Sequence, residues 1–437
     1  MTTEGSTARR VAATVLVRLC VVALLGLSSV LTARGLNPSG RGTYGLVLAV
    51  AWIAAALGHL SIEQANVLRW QRGDDRRAIA STSVTLGLAG GIAAAVVGWF
   101  AVDAFAHDSF SASDRRLIAL VLPAVPLYIL GGYLVGLHVL DDRLRRVNVA
   151  RLVAAASQLA ALSVLWLTDE LTVATAVATW VATLAALPVV LLVPGLSIRL
   201  RHVSRRLASS LLRTGLKYHV GMAALFLLRR VDIVILSAYV SRREVGLYAV
   251  AVVLAELLFV PSESIAQAVL PRQVRGSLED AAVYSARVVR VNTFVALTAA
   301  AGLAAVSPLL IRVAYGAEYT DSVVLLAALL PGVVAVGFTR PITALLVRLD
   351  RPFVVSTICV ASLAFNVALN LALIPTLGAV GASIASSLAY LLQAGAYTAW
   401  VLRSTPLTLP DLWPRREDLR VFATLLRRSS VETPATP

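Results

Sequence analysis

The stretch Leu216–Ala249, LKYHVGMAALFLLRRVDIVILSAYVSRREVGLYA, decides how the chain is read. An apolar run of membrane-crossing length carries Arg229, Arg230 and Asp232, gives way to the polar loop Ser241–Val245, and resumes at Gly246-Leu247-Tyr248-Ala249 as a second apolar run. A charge deep in hydrocarbon costs at least ~2.5 kcal/mol on insertion scales, so these side chains must face protein, water or a ligand. This span is therefore the first place to look for function. It also opens the second half of a duplicated chain.

Composition sets the class. The 437 residues are 58% hydrophobic and only 14% charged, with a mean hydropathy of +0.80. That is too little polar surface for a soluble globule, and the chain reads as an all-α polytopic membrane protein. Its two cysteines, Cys20 and Cys359, lie inside apolar runs without metal or redox spacing and read as buried structural thiols.

Working outward from Leu216, the apolar runs divide the chain into twelve spans. The first six are Val11–Ala33, Thr43–Leu60, a third within Ala78–Ala106, Leu117–Leu140, Val147–Leu167 and Leu171–Pro194. The second six are Leu216–Val240, Gly246–Leu270, Val291–Ile311, Ser322–Val347, Phe353–Ile374 and Gly378–Leu402. Each is about 30 Å long if helical, the thickness of the hydrocarbon core. Arg18 interrupts the first span, which reads as a retained helix rather than a secretory signal. The expected organisation is a polar segment at 1–10, a six-helix bundle at 11–194, a basic linker at 195–215, a second bundle at 216–402 and a tail at 403–437. Within the tail, Leu412–Leu426 reads as amphipathic. Pro123, Pro126, Pro261, Pro331 and Pro341 fall inside spans and predict bends.

The arginines set the orientation. With both termini on one side, that side receives 27 of the 39 Lys and Arg and the other receives 7. The positive-inside rule then places both termini in the cytoplasm of a cell-membrane protein. The net charge of +15 is mostly topology plus a basic tail, which argues against nucleic-acid binding.

A shift of 203 residues lays Ser61, Ile62, Gln64, Ala65, Arg69, Arg72 and Gly73 on Ser264, Ile265, Gln267, Ala268, Arg272, Arg275 and Gly276. A shift of 204 lays Gly42 and Tyr44 on Gly246 and Tyr248. Six spans per half is an even number, so the halves enter the membrane in the same sense. Parallel repeats are related by an axis along the membrane normal, with the substrate path between them.

Several motifs recur in a known order: RGL at Arg34–Leu36, GTYG at Gly42–Gly45, RVD at Arg230–Asp232, EVGLYA at Glu244–Ala249, YGAEY at Tyr315–Tyr319 and NVALNLALIPTLGAVGA at Asn366–Ala382. Together they resemble the polysaccharide flippases of the MOP superfamily, the Wzx type, along nearly the whole chain. The resemblance implies two facing six-helix bundles of MATE-like architecture. These carry a polyprenyl-pyrophosphate-linked oligosaccharide from the cytoplasmic to the outer leaflet, alongside polymerases or glycosyltransferases of surface-polysaccharide assembly. No cofactor or metal is implied.

Such a substrate needs arginines in a wet central cavity for its phosphates. Arg230 lies ten residues from the end of its span, about 15 Å deep. Arg229, Arg230 and Asp232 are substrate-binding candidates. Arg229 and Asp232, three apart on the helix, can pair locally, which makes Arg230 the better phosphate candidate. The alternative is that Arg230 pairs with Asp232 or an acid of another helix to lock the bundle. Arg18 is the matching candidate in the first half, for cavity duty or for snorkelling. Arg151 and Arg340, near span ends, read as snorkelling. Glu256 and Glu263, seven apart on one face, are candidates for relaying a coupling cation or for pairing with arginine. Asn366 and Asn370 must find either helix partners or sugar hydroxyls.

Enzyme chemistry finds no motif: there is no phosphate loop, no nucleophile elbow and no HExxH, and the five histidines are scattered. Two other functions stay open. A cation-coupled multidrug exporter would want acids in the first-half cavity, where the first six spans offer little beyond Glu63 at the edge of span two. A non-transporting scaffold of an assembly complex would tolerate loss of Arg18 and Arg230.

Overall fold

The computed structural model describes residues 3–105, 110–192, 198–274, 278–348 and 352–415. Arg275, Gly276, the start of the basic linker and most of Leu412–Leu426 lie outside them. No strand occurs among the described residues, and nine of their helices are long and apolar enough to cross a membrane.

Those nine contain eleven of the twelve expected spans. The first helix, Thr3–Gly58, is broken at Asn37 (φ 56°, ψ 173°), which separates spans one and two. The nine-residue Gly- and Pro-rich connection is thereby reduced to a single non-helical residue. Asn37 Oδ1 accepts from the amides of Ser39 and Gly40 at 3.0 and 3.1 Å, and Pro38 supplies the fixed φ of a first helical position. Pro352–Ser404 likewise holds spans eleven and twelve, turning at Gly378, whose φ of +56° suits a residue without a side chain. The remaining one, span seven, is absent from the nine because it is broken. Span seven runs as Arg205–Leu227, a tight turn through Leu228, Arg229 and Arg230, and then Val231–Tyr239.

The prolines act locally. Pro123 sits in a 3₁₀ turn, Leu122–Ala124, that divides span four into Ala112–Val121 and Val125–Leu140. Pro331 and Pro341 stay inside the helix Ser322–Arg348. Cys359 is buried, with its thiol 3.2 Å from the Tyr397 hydroxyl, whereas Cys20 is exposed at the protein surface, contrary to the expected burial.

Spans two and eight are the central pair. A Cβ built on Gly42 would lie 1.9 Å from the carbonyl oxygen of Arg242, and one built on Gly246 would lie 1.9 Å from that of Pro38. The 204-residue shift carries Pro38 onto Arg242 and Gly42 onto Gly246, so the two contacts are the same contact seen from either half. The repeat is thus a physical two-fold, and its axis passes between two glycines. Side chains flanking this crossing, such as Leu46, Val47, Val250 and Ala251, are fully buried.

The seam is fastened at the end remote from the termini, called here the distal end. Arg242 reaches Asp114 of span four at 2.9 Å. Arg34 donates to the carbonyls of Ala314 at 2.7 Å and Val313 at 2.5 Å, and the Tyr319 hydroxyl donates to that of Ala33 at 2.8 Å. The YGAEY motif is therefore a latch laid on the first bundle. At the opposite, basic end the bundles meet through Arg18 and Glu263, 3.4 Å apart, and through a hydrogen bond from Arg69 to Ser210.

Candidate functional site

Between these two closures lies a cavity of about 490 Å³. One wall is a single stripe of span two: Arg41, Tyr44, Leu48, Trp52, Ala55 and His59. Steps of three and four residues keep a helical side chain on one face, which is why these six look the same way. The stripe was legible as a pattern in the sequence but carried no isolated signal. Arg41 in particular reads as one more loop arginine.

The facing wall holds Arg229, Arg230 and Glu256. The break in span seven puts the two arginines there, since Arg230 departs from helical geometry (φ −137°) and both guanidiniums leave the helix axis at the turn. Arg230 pairs with Glu256 at 3.0 Å and lies over the Trp52 ring at 4.4 Å. Arg229 lies over the Phe259 ring at 5.0 Å, and no carboxylate pairs with it among the described residues. Three guanidiniums thus line the cavity against one carboxylate, with Trp180, Tyr128 and Gln158 completing the wall.

Arg18 and Glu263 do not line this cavity; they close its basic end. The Glu263 carboxylate holds Arg340 at 2.7 Å through one oxygen and Arg18 at 3.4 Å through the other. Arg340 is therefore paired rather than snorkelling. The two acids of span eight serve different arginines because the helix breaks at Leu258, between Arg242–Leu257 and Phe259–Val274.

The local pair expected between Arg229 and Asp232 does not form. Their three-residue spacing presumed a continuous helix, and the turn separates them. Asp232 is 2% exposed and accepts from the Tyr248 hydroxyl at 2.5 Å, the Ser386 hydroxyl at 3.0 Å and the Ile233 amide at 2.8 Å. Asn366 and Asn370, both fully buried, extend the network: Asn370 Nδ2 donates to Asn366 O and Oδ1 at 2.9 and 3.0 Å, and Asn366 approaches Ser386 at 3.5 Å. None of the three lines this cavity or the one adjoining it; they tie together spans seven, eight, eleven and twelve. Asp232→Ala leaves two hydroxyls and an amide without their acceptor, at about 1–3 kcal/mol for each group left unsatisfied. The expected result is a clear drop in the thermal midpoint of the purified protein, larger than for Tyr248→Phe, with ligand binding in the cavity retained.

A second cavity of about 500 Å³ shares His59, Tyr128, Leu184 and Phe226 with the first. Glu63, Asn66 and an exposed Arg151 line it. Glu63 stands 3.7 Å from His59. No cluster of three or more metal-ligating side chains occurs among the described residues.

Two six-helix bundles facing each other across a charged cavity define a multi-pass membrane protein. The chain belongs to the family described as polysaccharide biosynthesis protein, whose model matches residues 31–324. Among solved structures it is similar to a multidrug resistance MATE family transporter of the MOP superfamily in an inward-facing conformation. That match has a TM-score of 0.71 and 16% identity over 89% of this chain and 98% of that one. It is similar too to the lipid II flippase MurJ in an inward closed conformation, with a TM-score of 0.71 and 12% identity over 97% and 94% of the two chains. An outward-facing MATE transporter gives a TM-score of 0.63 at 16% identity, over 90% and 94%. Identities this low establish the fold alone. No curated protein matches the chain.

Proposed function

We propose that the chain is a flippase that moves a polyprenyl-phosphate- or pyrophosphate-linked oligosaccharide across the cell membrane during surface-polysaccharide synthesis. The basic end and both termini face the cytoplasm. The reading rests on the cavity's charge: three guanidiniums stand against one carboxylate, a net positive lining that favours an anionic phosphate headgroup. Trp52, Trp180 and Tyr128 offer apolar faces to sugar rings, and the polyprenyl tail stays in lipid, since a cavity of about 490 Å³ holds a headgroup and little more. Family membership in polysaccharide biosynthesis and the flippase-type fold support the same reading. The protein moves its substrate without altering it. An organic cation, the cargo of a multidrug exporter, would face three like charges.

Native mass spectrometry of the protein purified from its own host tests this, with extraction of bound lipid. The expected result is a retained polyprenyl-linked sugar phosphate, reduced roughly 10- to 150-fold in affinity by Arg230→Gln, the equivalent of one charge-assisted contact of about 1.5–3 kcal/mol. Absence of such a lipid, with binding of small organic cations instead, would overturn the proposal.

A further inference from the structure

Arg41 is the one arginine of the cavity that is both deeply buried and served only by neutral partners. It is 6% exposed. Its two terminal nitrogens donate to Thr32 Oγ1 at 3.0 Å and Ser29 Oγ at 3.1 Å, and its guanidinium lies 5.4 Å from the Tyr44 ring centre. Its Nε has no partner, and among the described residues no carboxylate pairs with it. A guanidinium offers five N–H groups, so most of this donor set is unused. A buried cation without a counter-ion is costly, and hydroxyl dipoles offset only part of that cost. The location adds to it: Arg41 lies in the first turn after Asn37, where the helix dipole is positive. The arrangement is electrically incomplete, and an oxyanion would complete it. Guanidinium N–H groups beside the hydroxyls of Ser29 and Thr32, all lining the cavity, suit a tetrahedral phosphate.

Arg41 is not part of the Arg229–Arg230 site. Arg230 sits over Trp52, and eleven residues of span two separate Trp52 from Arg41, about 16 Å along the helix. The two guanidiniums therefore stand at different depths of the cavity. Arg41 is also the residue before Gly42, so it stands directly inside the distal seam that must part for release.

Resting on the flippase reading, we propose that Arg41, with Ser29 and Thr32, is a second anion station that takes the phosphate of the lipid-linked substrate from Arg229 and Arg230 on the way out. The stripe Arg41, Tyr44, Leu48 and Trp52 is the track between the two stations. Without the outer one, the phosphate would have to cross the distal half of the cavity unaccompanied.

The test compares the full-length wild type with Arg41→Gln, Arg41→Lys and Arg230→Gln, all purified from the native host. Bound lipid is measured by native mass spectrometry, thermal midpoints after delipidation, and surface-polysaccharide export by complementation. The station predicts that Arg41→Gln keeps at least the wild-type amount of bound lipid, loses export tenfold or more, and does not lower the delipidated midpoint. Arg41→Lys, which keeps the charge, restores most of the export. Arg230→Gln loses the bound lipid. If Arg41→Gln exports at half the wild-type level or better while Arg230→Gln loses lipid, the outer station is refuted and the flippase reading stands. If Arg41→Gln lowers the delipidated midpoint and sheds lipid, Arg41 is a staple between spans one and two, which also overturns the proposal. If the wild type holds no such lipid, the flippase reading itself falls, and the station with it.

Discussion

Gly246→Val drives the distal end of the protein apart. The nearest backbone oxygen, that of Pro38, lies 1.9 Å from where a Cβ would be placed, and real Cβ atoms essentially never come within 3.0 Å of such an atom. The obstacle is main chain on both sides, so no rotamer change relieves it; spans two and eight must separate by about 1 Å or more. Overpacking of this kind costs typically about 1–3 kcal/mol, and a contact against rigid backbone belongs at the upper end, near a hundredfold in the population of the closed seam. The Arg242–Asp114 bond and the Arg34 and Tyr319 latches depend on the same approach and weaken together. A cysteine introduced at Ser28, which is 2% exposed, reports the change: an impermeant thiol reagent added from outside labels it slowly in the parent and many times faster with Gly246→Val. Gly42→Val does the same through the symmetric contact. Unchanged labelling in both would mean that the seam does not seal the cavity.

The seam also marks how far sequence reasoning reaches. The repeat was legible in identities such as Gly42 with Gly246, and the twelve spans in the apolar runs. That spans two and eight cross at the axis was not, because identity does not say which helix lies next to it. The site was legible only in part. Arg229, Arg230 and Glu256 stood out because a charge in an apolar run has few explanations, and all three line the cavity. Asp232, Asn366 and Asn370 stand out for the same reason but bond to protein, Asp232 to Tyr248 and Ser386 and Asn370 to Asn366, because burial cost alone does not say whether substrate or protein satisfies a polar group. The failed Arg229–Asp232 pair came from assuming an unbroken helix, and nothing in Leu228–Val231 announces the turn. Arg41 was passed over for the opposite reason: near a span end a charge looks ordinary, and only the side chains folded back from span one show that it is buried.

Glu263→Gln is expected to loosen the basic end as Gly246→Val loosens the distal one. The Glu263 carboxylate neutralises two guanidiniums at once, Arg340 from its own bundle and Arg18 from the other, and all three side chains are only about a quarter exposed. An amide of the same shape still accepts one hydrogen bond but carries no charge, so the arginines are left to repel each other. Partial burial places the loss between the near-zero value of a surface pair and the 3–5 kcal/mol of a fully buried one, at about 1–3 kcal/mol, or roughly 5- to 150-fold in opening. A cysteine at Val22, which lines the cavity just beyond the pair, then reacts much faster with reagent presented from the basic side. A double-mutant cycle locates the effect: Arg18→Gln added to Glu263→Gln changes little further, because the bond between bundles is already gone. The rival role for this acid, relay of a coupling proton, gives a different result, in which Glu263→Gln abolishes any pH dependence of export and leaves Val22→Cys labelling as it was. Because the Glu263 pairs supply the charged fastening of the basic end and one glycine crossing seals the other, the two substitutions shift the bundles in opposite senses, and the double variant is expected to leak at both ends.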